Sequence, residues 1–73
     1  MMEEIYISTE FIKLGQAMKL AGMVSNGADA KMLIADGLVT VDGETEIRRG
    51  RKLFGGETVE FEENKFKVVN NAD

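Results

Sequence analysis

Five consecutive positions, Arg48, Arg49, Gly50, Arg51 and Lys52, hold four of the chain's nine basic side chains. Arginine suits phosphate because its planar guanidinium donates two parallel hydrogen bonds. The 73-residue chain is acidic as a whole, with net charge -4 and a pI near 4.8. An acidic protein has no general attraction for phosphate, so anion binding must come from a local patch. The charges are segregated in a way that permits one. Residues 11–56 hold seven basic side chains (Lys13, Lys19, Lys31, Arg48, Arg49, Arg51, Lys52) against Asp29, Asp36, Asp42, Glu44 and Glu46, a net of +2. The segments on either side, 1–10 and 57–73, are each acidic. A mildly basic face on an acidic body follows, and a wholly basic high-pI binder is excluded.

Catalytic chemistry finds little material. The chain has no histidine and no cysteine. That removes the commonest general base, the commonest metal ligand and any thiolate or disulfide. Ser8 and Ser25 are the only serines and have no evident base. No carboxylate pair is singled out by spacing, so the sequence is not read as an enzyme and implies no metal or cofactor. The lack of cysteine fits a cytoplasmic protein. No apolar run approaches the roughly 18–20 residues of a membrane span, and no basic-then-apolar leader opens the chain.

The elements that must carry the basic residues can be read from periodicity. Residues 4–8 alternate and favour a strand, with Ile5 and Ile7 on one face. From Lys13 the spacing turns helical: Leu14, Ala17, Met18 and Ala21 make one stripe, and Gly22 is a stop signal. Gln16 and Lys19 then lie together on the polar side. Lys13 falls at the helix start, where its charge costs about 0.3–1 kcal/mol against the helix dipole. A lysine beside free backbone N–H groups suits an anion. Ser25 or Asn26 caps a second helix whose buried face is Ala30, Leu33 and Ile34, with Gly37 ending it. Lys31 flanks that face on one side, Asp29 and Asp36 on the other. Met18, Met23 and Met32 are read as core filler.

Residues 38–41 form a strand, and Asp42-Gly43 is a two-residue hairpin signal. Residues 44–47 return antiparallel. Gly55-Gly56 marks a further turn. Residues 58–61 and 65–68 alternate as strands, with Val59 and Phe61 inward and a turn at Glu63-Asn64. Residues 70–73 read as a frayed tail. Of the aromatics, Tyr6 and Phe54 are the two not placed for burial, and no stacking platform for single strands is expected. The fold class is α+β, two short helices packed on a small, mostly antiparallel sheet in one domain spanning 1–73.

The stretch 12–61 resembles the S4 RNA-binding domain, also called the αL motif. The carrying residues are Lys13-Leu14-Gly15, Ala30-Lys31-Met32-Leu33-Ile34, Gly37-Leu38-Val39-Thr40-Val41-Asp42-Gly43 and Lys52-Leu53-Phe54-Gly55-Gly56-Glu57-Thr58-Val59. Leu14-Gly15-Gln16 and Glu46-Ile47-Arg48-Arg49-Gly50-Arg51-Lys52-Leu53 are similar to the small stand-alone YaaA/YbcJ-type members. The resemblance implies a module that binds structured RNA, chiefly ribosomal or transfer RNA, through its two-helix face and the adjoining loop, and a monomer is expected. By matching positions it implicates Lys13, Lys31, Arg48, Arg49, Arg51 and Lys52, and the polar side of the first helix adds Gln16 and Lys19. Replacing the three loop arginines is expected to abolish binding and leave the fold intact. The alternative is a protein-interaction adaptor that presents acidic Glu60, Glu62 and Glu63 to a basic ribosomal or other protein. A scattered rather than continuous basic surface would favour it.

Overall fold

The structure is a computed structural model, and it describes residues 2–71. Nine elements follow in order: β1 (Met2–Ile7), β2 (Ile12–Lys13), α1 (Leu14–Leu20), α2 (Gly27–Ala35), β3 (Val39–Val41), β4 (Glu44–Thr45), β5 (Lys52–Leu53), β6 (Thr58–Phe61) and β7 (Asn64–Asn70). Five strands make one sheet in the order β1-β7-β6-β3-β4, and β2 pairs with β5 in a separate ribbon. All pairings are antiparallel except β1 with β7. The α+β expectation with two helices on a mostly antiparallel sheet therefore holds.

Both helices end as their glycines require. After α1 the N–H of Gly22 donates to Lys19 O and that of Met23 to Met18 O. After α2 the N–H of Gly37 donates to Ile34 O and that of Leu38 to Leu33 O. This paired pattern is a Schellman stop, and both glycines take the positive φ it needs, 77° and 78°. Asn26 caps α2 by accepting from the Asp29 N–H at 2.9 Å. Asp42 and Gly43, at φ 52° and 86°, turn the chain so that Val41 faces Glu44.

Strand alternation and the helix stripes meet in one core. Leu14, Ala17 and Met18 of α1 and Ala30 and Ile34 of α2 are buried with Val39, Val41, Leu53, Val59, Phe66 and Val68. The ribbon is part of this core, since Ile12 and Leu53, opposite each other across β2 and β5, both point inward. Burying so many aliphatic side chains at roughly 1.5–3 kcal/mol each is what offsets the ordering of a short chain.

Four expectations need correction. Met32 is 64 % exposed rather than core, because it lies on the side of α2 opposite Ala30 and Ile34, two positions from each. The last hairpin turns at Glu62-Glu63, one residue earlier than expected, since Phe61 pairs with Asn64 and Glu62 takes φ 56°. The return strand β4 stops at Thr45, because Glu46 turns inward. Asn70 ends β7 instead of fraying: its side-chain amide donates to Phe54 O at 2.8 Å and Thr9 O at 3.0 Å. Ala72 and Asp73 lie outside the described residues.

Candidate nucleic-acid interface

The basic loop is held at both ends and from beneath. At its ends, β5 pairs with β2 and the loop's carbonyls meet the start of α1. The Leu14 N–H donates to Arg51 O at 2.8 Å and the Gly15 N–H to Arg49 O at 3.1 Å. These bonds occupy two of the N–H groups that an isolated helix start leaves open. The expected anion site at the first helix terminus is thereby reduced, and the Lys13 side chain makes no cap there.

Beneath the loop sits Glu46, only 6 % exposed. Its carboxylate accepts the Ile47 and Arg48 backbone N–H groups, both at 3.0 Å. It also accepts a fork from Arg48, Nε at 3.1 Å and Nη2 at 3.1 Å, and Nη1 of Arg51 at 3.2 Å. The Arg48 fork and its companions hold the Glu46 carboxyl down from 4.5 to about 2, against the opposing effect of burial. The same contact raises Arg48 above its usual value. So Glu46 is an internal acid that folds two arginines around itself and sets the loop's shape. Sequence reasoning quoted Glu46 within a motif but gave it no role. The signal was present, a glutamate two and five residues ahead of arginines on a return strand. The three arginines are accordingly not interchangeable. Removing Arg48 or Arg51 strips hydrogen bonds from a buried carboxylate, so a triple arginine variant cannot be taken to leave the fold intact.

Arg49 takes a different path. Its stem crosses α1 at Gly15, so closely that a Cβ there would lie 2.7 Å from Arg49 Cγ. Glycine at this position is what allows the loop to rest on the helix. Lys13, Gln16, Lys19 and Arg49, with Gly15, Gly27 and Gly50, then line one groove of about 350 Å³. Arg48, Arg51 and Lys52 line a shallower concavity that shares Gly50 with it. Seven of the eight implicated residues thus line two hollows that share Gly50. Lys31 lines neither hollow, although it follows Gly27 by one helical turn on the same side of α2.

The charges on this surface differ in how far they are committed. Arg48 and Arg51 are paired with Glu46. Lys13, Lys19, Lys31, Arg49 and Lys52 make no ion pair among the described residues. Lys52 instead places Nζ 4.7 Å from the centre of the Phe11 ring. The available positive charge therefore centres on Lys13, Lys19, Arg49 and Lys52.

Comparison with known proteins gives this arrangement a context. A probable ribosome maturation protein of Bacillus subtilis, RlbA, is 45 % identical over 71 residues, covering 96 % of this chain and all of that one. A putative RNA-binding protein of Escherichia coli, YbcJ, is 41 % identical over 58 residues, covering 80 % of this chain and 83 % of that one. The solution structure of E. coli YbcJ, described as revealing an αL motif involved in RNA binding, superposes with a TM-score of 0.68 at 35 % identity, covering 93 % of this chain and 85 % of that one. The S4 domain family matches residues 5–69, nearly the whole described chain. By sequence and by fold, this chain belongs to the S4 domain family.

Proposed function

We propose that this protein is a non-catalytic module that binds structured RNA through the groove between α1 and the basic loop. The observation that carries the reading is the convergence of Lys13, Lys19 and Arg49 on one groove with no internal carboxylate partner. Unpaired cations on a rigid surface exchange their counterions for phosphates, which dominates nucleic-acid affinity. The Glu46 clamp adds rigidity, so little ordering is left to be done on binding. RNA helices are recognised mainly by shape and backbone, which suits a surface with few base-reading groups. Gln16 lies in the groove as its one side chain able both to donate and to accept.

Ribosomal RNA is the favoured target over transfer RNA, supported by the similarity to a probable ribosome maturation protein across the whole of that relative's length. A monomer acting in the cytoplasm is consistent with that role. The clustering of most basic residues favours this reading over the adaptor alternative. Crosslinking in cells followed by sequencing of the bound RNA tests the reading. Enrichment of base-paired ribosomal segments is expected. Recovery of RNA no richer than a tag-only control would contradict it.

A further inference from the structure

Beside the basic groove, the β2–β5 ribbon presents a second surface of different chemistry. Ile12 and Leu53 face the core, so alternation turns their neighbours Lys13 and Lys52 outward, with Phe11 and Phe54 at the ribbon's end. The two rings lie 6.1 Å apart, centre to centre, tilted by 56°. Lys52 covers one ring, that of Phe11. Phe54 stands 50 % exposed.

A single exposed phenylalanine needs no explanation. The backbone beneath this one does. The Phe54 N–H donates to Glu57 at 2.8 Å and the Gly55 N–H to the same carboxylate at 2.7 Å. The Phe54 carbonyl accepts from Asn70 Nδ2 at 2.8 Å, and the same amide holds Thr9 O at 3.0 Å. One side chain thus ties together the two segments that carry the rings. Gly55 lets Asn70 approach, since a Cβ there would lie 2.9 Å from Asn70 Cβ. A ring with so fixed a base and an open face offers a flat apolar surface at little entropic cost. Lys13 belongs both to this ribbon and to the groove, so the two surfaces are continuous.

We propose that Phe54, backed by Phe11 and with Lys52 and Lys13 paired in the next outward rank of the ribbon, is a stacking platform for an unpaired nucleobase, and that the RNA recognised is a junction between duplex and single strand. Any base presents a π-face to an aromatic ring, and the paired lysines, one outward rank along the ribbon from the rings, supply phosphate contacts on one side of the stacked nucleotide. This rests on the RNA-binding reading above and narrows it, adding the platform that the sequence did not lead one to expect.

The test uses the full chain and two probes, a blunt RNA duplex and the same duplex with a short single-stranded 3′ extension. The protein has no tryptophan, so Phe54→Trp places the only indole at the platform. Its fluorescence is expected to be quenched by the extended duplex and not by the blunt one, with both bound. Phe54→Leu keeps an apolar side chain and removes the π-face. It is expected to lose roughly 5- to 150-fold in affinity for the extended duplex and nothing for the blunt one. Equal wild-type affinity for the two probes, or equal loss on both in Phe54→Leu, overturns the platform and leaves the groove standing. Failure of the wild-type protein to bind either probe overturns both.

Discussion

Glu46 and the arginines around it show how one residue's role can oppose its apparent character. In a chain with thirteen acidic side chains, Glu46 looks like another solvated carboxylate, yet it accepts hydrogen bonds from two arginines and two backbone amides. Its carboxyl is lowered from 4.5 to about 2, so its contribution to stability is complete above the ordinary carboxylate range and is lost as pH falls toward 2. We expect Glu46→Gln to cost about 2 kcal/mol at neutral pH, the worth of charge-assisted hydrogen bonds partly replaced. The gap between wild type and variant should close between pH of about 4.5 and 2. Denaturant unfolding of both proteins across that range measures it, and a gap independent of pH would mean the carboxylate's charge is not what matters. At this scale the basic residues were legible from their types and clustering. The division between structural Arg48 and Arg51 and available Arg49 was not, because it depends on where a buried acid lies.

Among the elements, signals confined to a few neighbouring residues were the readable ones. Gly22 and Gly37 end helices, Asn26 caps α2, and Asp42-Gly43 makes the hairpin, each by chemistry contained in the local sequence. The β2–β5 ribbon was not readable. Each strand is two residues long and its partner lies some forty positions away, so neither periodicity nor turn chemistry announces it. The same holds for the parallel pairing of β1 with β7, which joins the ends of the chain. Yet the ribbon is the element that sets the loop against α1. Gly15 offers a test of that contact. In Gly15→Ala the new methyl group displaces the Arg49 stem, while alanine's better helix propensity returns about 0.5–1 kcal/mol. The overpacking cost of about 1–3 kcal/mol outweighs that gain, so stability should fall by up to about 2 kcal/mol, and RNA affinity should fall roughly tenfold, the worth of one charge-assisted hydrogen bond. Parallel thermal melts and binding titrations separate the two effects. A variant that melts early and binds normally would place Gly15 in folding alone.

On the scale of the whole molecule, an acidic body gathers most of its unpaired positive charge on one surface, Lys31 and Lys67 being the exceptions among the described residues. The net charge of -4 discourages indiscriminate attachment to nucleic acid, and the groove concentrates attraction in one place. The sheet's own lysines lie elsewhere, with Lys65 paired to Glu60 and Lys67 opposite Glu4 on β1. That separation provides an internal control for the central claim. The decisive measurement is RNA affinity as a function of salt for three proteins: wild type, a groove variant (Lys13→Gln, Lys19→Gln, Arg49→Gln) and a sheet variant (Lys65→Gln, Lys67→Gln). Both variants leave the Glu46 clamp untouched. If the groove holds the phosphates, each lost contact flattens the slope of log affinity against log salt by roughly 0.7–0.9, about 2–3 in all for the groove variant. The sheet variant should keep the wild-type slope. Equal slopes in all three proteins, or a larger change in the sheet variant than in the groove variant, would contradict the account.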